Sequence, residues 1–160
     1  MLAAMFMVAS CGSKSNSGEA TEEQAGEVTF TDPAIEYVGG IDFTNFISAE
    51  SVTQPTRIKK DGHQLISFVV KFKLIKPIEN EDWGSLFFKA RLCDENESPL
   101  AEAQQAQGVR KDQIRNAEVG KVFSVTFVTL NDYGDNMWED EMNEVIKKIR
   151  KITILQQTFK

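Results

Sequence analysis

The chain has 160 residues, a formal net charge of -6 at pH 7, and 41% hydrophobic residues. This length and content predict one domain whose core needs no disulfide framework. The acidic balance excludes nucleic acid as an expected partner, since phosphate recognition calls for a basic stripe.

The chain begins with an uncharged apolar run over residues 1–8, and small residues then precede a cysteine in Val8-Ala9-Ser10-Cys11. An apolar region followed by small residues is typical of a secretory signal. The run is shorter than the about 20 residues of a membrane-spanning helix. Because no Lys or Arg precedes Leu2, we expect the true start to lie upstream. The alternative is a buried N-terminal helix that contains a cysteine.

The stretch Val8-Ala9-Ser10-Cys11 resembles the lipobox of a bacterial lipoprotein. The resemblance implies a signal peptide over residues 1–10 and covalent lipid, palmitate among it, on Cys11. A lipid-bearing Cys11 would anchor the chain to a membrane. Gly12, where inner-membrane lipoproteins commonly have Asp, implies the outer membrane, on its periplasmic side or at the cell surface. No other cofactor is expected.

A polar tract follows the cysteine. Residues 12–27 are Ser, Gly, Asn, Thr, Glu, Gln, Ala and Lys, with no large apolar side chain. Such a composition cannot bury enough apolar surface to offset the entropy of ordering. We therefore predict a lipidated cysteine and flexible tether over residues 11–27, and a folded domain over residues 28–160.

The folded part is predicted to be mainly β. Short strands are expected over 28–30 and 35–38, a bent strand over 41–52, and an edge strand over 56–59. Asp61-Gly62 predicts a type I′ turn. The strand over 65–75 alternates with period two, which predicts one buried and one solvent-facing side. Its inward residues are Ile66, Phe68, Val70, Phe72 and Leu74.

The second half continues the β pattern and adds one helix. Residues 85–93 alternate with Cys93 facing outward, and 99–103 return as a hairpin. Residues 104–115 are polar and are expected to form a long loop or a loose edge, and 121–130 form another strand. A helix is predicted over 136–149 from an Asn136–Glu139 capping box and an apolar stripe. A final strand covers 152–155.

The region from residue 65 to 130 resembles the immunoglobulin-like domain of many small exported bacterial lipoproteins. The residues that carry the likeness are LISFVVKFKLI, LFFKARLCDENESPL and EVGKVFSVTF. The resemblance implies an antiparallel β-sandwich and offers no catalytic residues. In such domains an aromatic-Asp pair often ends a strand before a Gly turn; here Cys93-Asp94 takes the place of the pair and Glu97 that of the Gly.

Two acidic and aromatic loops are the candidate binding sites. One contains Asp82 and Trp83, and the other contains Asp132, Tyr133 and Asp135. Carboxylates of this kind can bind Ca²⁺, and an aromatic ring can stack on a sugar, although neither loop has the EF-hand spacing. Solvated turns, with the Trp fixing a strand end, are the simpler interpretation.

Cys93 is the other chemical candidate. If Cys11 carries lipid, Cys93 has no partner within the chain. Lys89 and Arg91 would favour its thiolate, whereas an incidental exposed thiol is the simpler interpretation.

The sequence favours a non-enzymatic binding or envelope-assembly module held at a membrane, with an unidentified protein or glycan as its partner. An alternative is a carbohydrate-active enzyme or a sugar-binding lipoprotein. The enzyme would pair Glu81 with Asp94 or Asp132, since glycosidases place two carboxyls about 5–10 Å apart. A third alternative is a protein inhibitor or complex subunit, which an exposed apolar patch would indicate.

Overall fold

A computed structural model describes residues 29–79, 82–129 and 139–159. These residues form one mainly β unit with ten strands and two helices. In chain order the elements are β1 (Phe30–Thr31), β2 (Ile35–Gly39), β3 (Ile47–Val52), β4 (Thr56–Lys60), β5 (His63–Leu74), β6 (Ser85–Cys93), β7 (Pro99–Gln105), β8 (Val109–Arg110), α1 (Lys111–Ile114), β9 (Val122–Thr129), α2 (Glu139–Lys148) and β10 (Lys151–Phe159). The strands join in the order β1-β3-β5-β9-β7-β6-β10-β2, with β4 beside β5 and β8 beside β6.

Strand β5 confirms the prediction for the longest strand. Its five predicted inward side chains are each at most 2% exposed, and Lys71 between them is exposed. Strands β3 and β4 run along the same edge of β5, one after the other, and the break between them contains Pro55. Asp61 and Gly62 join β4 to β5 with φ of +51° and +88°, as a type I′ turn requires.

Strands β6 and β7 form the predicted hairpin. Residues 104–115, expected as a long loop or a loose edge, contain the end of β7, the short strand β8 and the helix α1. The chain stays beside β6 through Gln105, leaves it briefly, and returns as β8 before the short helix α1. In the gap, the buried amide of Gln105 accepts from the Phe88 N–H at 3.0 Å and donates to the Leu86 carbonyl at 3.2 Å. The side chain of Gln105 thus forms the hydrogen bonds that the backbone of a neighbouring strand would otherwise form. The polarity of the residue alone does not predict this role.

The sheet curls so that its two halves face each other. Strands β5 and β6 are three places apart in the sheet, so their backbones would be about 14 Å apart if the sheet were flat. The rings of Phe72 on β5 and Phe88 on β6 nevertheless stack with centroids 4.5 Å apart. Phe72 also stacks on Phe123 of β9, at 5.4 Å. The core therefore lies between the two halves of one curved sheet.

The sheet is mixed, whereas the sequence predicted an antiparallel one. Strand β2 pairs in parallel with β10, with Ile35 opposite Ile154, and every other strand pair is antiparallel. The preceding strand, β1, pairs with β3 in the other half. The first described segment thus crosses from one half to the other. Strand pairing between distant segments leaves no trace in local periodicity, so this parallel contact could not be predicted.

Helix α2 lies within the predicted range, and α1 is an addition to the single helix expected. Met142 and Ile149, from the predicted apolar stripe, are 2% and 1% exposed and belong to the core. The helix packs against β4 and β5, and the Arg150 N–H just beyond it donates to the Cys93 carbonyl at 2.8 Å. Asn136 of the predicted capping box is outside the described residues. Helix α2 therefore closes one end of the core.

Candidate functional site

Most of the residues nominated for function lie outside the described part of the chain. These are Cys11, Glu81, Asp132, Tyr133 and Asp135. The lipid site, the second acidic loop and two of the three proposed carboxyls therefore remain predictions. Asp82, Trp83, Cys93 and Asp94 can be placed.

Trp83 belongs to the core. It is 4% exposed, and its ring meets that of Phe43 edge-on with centroids 5.2 Å apart. The neighbouring Asp82 is exposed. The arrangement matches the simpler interpretation, in which the Trp fixes the start of β6. To stack on a sugar, the ring would have to leave the core and give up its contact with Phe43.

The carboxylate of Asp94 holds the turn between β6 and β7. One of its oxygens accepts from the backbone N–H groups of Asn96 and Ser98, each at 2.9 Å. Glu97 within this turn has φ of +62°, a conformation that glycine adopts most readily. The turn thus keeps the backbone shape expected for a Gly at this place, and Asp94 has a local structural role.

Cys93 is buried, so the prediction that it faces solvent is wrong. Its exposed fraction is 4%, and the preceding Leu92 is fully buried. The pairing of β6 with β7 shifts register between these two residues, which lets consecutive side chains both be enclosed. Burial raises the pKa of the Cys93 thiol, and Arg91 and Lys151 only partly oppose this effect. The thiol therefore stays protonated and weakly nucleophilic.

A segment between β2 and β3 is held by buried polar side chains of β10. The Gln156 amide accepts from the Phe43 N–H at 2.9 Å and donates to the Ile41 carbonyl at 3.0 Å. The Thr158 hydroxyl accepts from the Ile41 N–H. Gly40 lies so close to Thr158 that a Cβ atom on it would come within 2.5 Å of the Thr158 carbonyl oxygen. We call these contacts of Gln156 and Thr158 with residues 40–43 the lock. The sequence did not predict it, because glutamine and threonine usually indicate solvent-facing positions.

Three exposed apolar side chains lie beside this lock, and we call them the aromatic corner. They are Tyr37, Val38 and Phe159, with exposed fractions of 47%, 53% and 46%. The Tyr37 hydroxyl donates to the Gly40 carbonyl at 2.9 Å, and the Phe159 ring meets Phe87 edge-on at 5.6 Å.

A second group of exposed apolar side chains lies where β5 ends and β9 begins, and lysines accompany it. We call this group the lysine corner: Ile75, Val119 and Val122 with Lys73, Lys76 and Lys121. The apolar members are 43%, 59% and 45% exposed. Both corners lie at the end of the curled sheet opposite α2.

Lys147 in the last turn of α2, and Arg150 and Lys151 just beyond it, have local partners. Lys147 pairs with Glu144 at 2.9 Å, and Lys151 pairs with Glu97 at 2.6 Å. These contacts raise the pKa of each lysine. Arg150 donates to the Lys147 and Ile149 carbonyls at 2.6 and 2.9 Å. This group therefore completes the C-terminal end of the helix, where cations interact favourably with the helix dipole.

The described residues lack two features that would indicate a metal site or a membrane-spanning helix. Within residues 29–79, 82–129 and 139–159, no three His, Cys, Asp or Glu side chains are grouped to hold a metal ion. In the same ranges, no helix is both long and apolar enough to cross a membrane. No protein-family model, curated protein or solved structure matches the chain.

Proposed function

We propose that this chain is a lipid-anchored exported bacterial protein whose folded domain is a non-enzymatic binding or envelope-assembly module. The observation that carries the proposal is the sequence Val8-Ala9-Ser10-Cys11 after an apolar run and before a polar tract. A doubly acylated Cys11 would supply the two chains that stable anchoring needs. The partner of the module is a protein or a glycan of the cell envelope.

The structural roles of the candidate residues that the structure describes support a binding or assembly module rather than an enzyme. Asp94, one of the carboxyls considered for glycoside hydrolysis, holds a turn through two N–H groups. Trp83 packs in the core, and Cys93 is buried with a raised pKa. Each side chain thus has a structural role that accounts for its place in the sequence.

The immunoglobulin-like sandwich is a further part of the proposal. Two observations support it: the two halves of the curled sheet pack face to face through Phe72 and Phe88, and the first segment pairs with both halves. In this interpretation, α2 is an addition that closes one end of the sandwich.

The lipid anchor is tested by metabolic labelling with a palmitate analogue in a diderm bacterium. The chain is expressed with two lysines ahead of Met1, so that the signal has a basic start. We expect the wild-type chain to take up the label and to sediment with membranes. Cys11→Ser should lose the label, whereas Cys93→Ala should keep it, because that thiol lies inside the domain. Label retained by Cys11→Ser would contradict the proposal.

A further inference from the structure

The lysine corner combines two properties, exposed aliphatic side chains and nearby lysines. Its aliphatic side chains are about half exposed. Of the neighbouring lysines, Lys73 pairs with Glu50, whereas Lys76 and Lys121 form no ion pair with a described carboxylate. Surfaces of this kind insert apolar groups at the boundary of a bilayer while their cations meet anionic headgroups. We propose that the lysine corner docks the folded domain onto a bilayer surface that contains anionic lipids.

The backbone brings the three aliphatic side chains together. Val122 on β9 lies directly opposite Lys73 on β5, on the face that points away from the core. The turn that contains Val119 is held to β5 by two backbone hydrogen bonds: Gly120 N–H to the Leu74 carbonyl at 2.7 Å, and Leu74 N–H to the Lys121 carbonyl at 2.9 Å. Ile75 follows Leu74 directly. The three side chains therefore project from the same end of the β5–β9 pair.

The charges at this projection oppose the charge of the whole chain. Lys71, Lys73, Lys76 and Lys121 lie on it or beside it, against one exposed carboxylate of the same turn, Glu118, and the chain as a whole carries -6. Lys73 pairs with Glu50 at 3.2 Å. Neither Lys76 nor Lys121 forms an ion pair with a described carboxylate, in contrast to Lys147 and Lys151 at the other end. An acidic protein would approach an anionic surface through these lysines, because the approach with any more acidic face is repelled.

The position at which the folded domain begins allows this orientation. At this step the inference rests on the proposed function, because it uses a lipid on Cys11. Phe30 pairs with Val52, which pairs with Val70, so the lysine corner lies about 17 Å further along β5. If residues 12–27 behave as a coil, as their composition predicts, their r.m.s. reach is roughly 20–24 Å. A lipid on Cys11 and the lysine corner could therefore meet the same bilayer.

The test uses the full chain with Cys11→Ser, so that docking is measured without the lipid. Cosedimentation is measured with phosphatidylcholine vesicles, with and without a one-third share of phosphatidylglycerol. We expect binding to the anionic vesicles that weakens as salt is raised, because the lysines are exposed and screened. Replacing Lys76 and Lys121 by Gln should lower the partition coefficient roughly thirtyfold, since each lysine near such a surface contributes about fivefold.

Matched variants separate the corner from general effects. Lys59→Gln with Lys89→Gln removes the same charge from exposed positions on β4 and β6, and should change binding much less. Val122→Thr should weaken binding severalfold, whereas Val38→Thr at the aromatic corner should not. The apolar run over residues 1–8 is common to every variant, so its contribution cancels.

Three results would overturn the inference. One is equal loss of binding in both lysine pairs. Another is binding that does not depend on phosphatidylglycerol. A third is a dimer in light scattering that Val122→Thr dissociates, because the corner would then be an interface between two copies. Each result is independent of acylation, so a failure of docking is distinguishable from a failure of labelling at Cys11.

Discussion

The two corners at the open end of the sheet expose apolar side chains to similar extents, but they are built differently. The aromatic corner lies on a lock of buried polar groups, in which Gln156 and Thr158 bind the backbone of residues 41–43. The lysine corner is held by backbone hydrogen bonds of Leu74 and Gly120 and by the exposed Lys73–Glu50 ion pair, and its apolar side chains are about half exposed. Exposure by itself therefore does not distinguish a surface that maintains the fold from one that is free to meet a partner.

The difference shows which residues the fold requires. At the aromatic corner, side-chain chemistry fixes the path of the chain between β2 and β3, so substitutions should cost stability. At the lysine corner, the exposed residues contribute little to the core, so substitutions should leave stability nearly unchanged. Five substitutions, two of them with a matched control, test this contrast.

The largest effect is expected for Gly40→Ala. Gly40 has φ of +82° and its added Cβ atom would collide with Thr158, so the segment or the end of β10 must move. We expect a loss of about 3 kcal/mol or more in the free energy of unfolding. Gly120→Ala at the lysine corner is the matched control: its φ is +93°, but nothing lies within 4 Å of the added atom. Its expected cost is about 1–2 kcal/mol. Equal costs in urea denaturation would contradict the contrast.

Gln156→Leu should have the next largest effect. The substitution keeps the volume but leaves the Phe43 N–H and the Ile41 carbonyl without their partners. We expect a loss of about 2–4 kcal/mol, because each abandoned group costs about 1–3 kcal/mol. Gln104→Leu replaces an exposed glutamine on β7 and serves as the control. A variant as stable as this control would show that the lock contributes nothing.

Val122→Thr and Val119→Ser should hardly affect stability. Both side chains are about half exposed, and the free energy of unfolding should change by less than about 0.5 kcal/mol each. Thermal unfolding followed by circular dichroism measures the change. If either substitution lowers the free energy of unfolding by more than about 1.5 kcal/mol, the fold requires that residue, as it requires the residues of the lock.

The smallest effect concerns Asp42, within the locked segment. The Thr44 hydroxyl and N–H donate to its carboxylate at 2.7 and 2.8 Å, and they lower its pKa from the ordinary value of 3.8. The folded state therefore holds this proton less tightly than the unfolded state. The stabilisation is present above the ordinary pKa and is lost as pH falls through the lowered one. Asp42→Asn should lose slightly less stability than the wild type on acidification from about pH 6 to about pH 3. If the urea midpoints of the wild type and Asp42→Asn differ by the same amount at both pH values, the assignment is contradicted.

Local patterns in the sequence were enough to predict much of the sheet. Strands β5, β6 and β9 alternate with period two because one face of each is buried, and Asp61-Gly62 has the residues that a type I′ turn requires. These features depend on neighbours along the chain. The same is true of the apolar stripe on α2, from which Met142 and Ile149 reach the core.

Features that depend on distant contacts could not be predicted. Gln105 and Gln156 are buried only because a gap in one strand and an irregular segment elsewhere need their amides. The outward assignment of Cys93 failed because a register shift interrupts the alternation at the end of β6. The parallel pairing of β2 with β10 joins segments that are more than a hundred residues apart, and no local signal specifies it.

The buried thiol of Cys93 also gives the protein an internal reporter. It lies beside the start of β10 and the end of α2, far from both corners. In the chain with Cys11→Ser it is the only sulfhydryl. Its reaction with an alkylating reagent therefore reports how often that end of the domain opens. The labelling rate, compared with that of the denatured chain, measures the local opening equilibrium. Opening at the helix-closed end and changes at the two corners can thus be followed independently in one molecule.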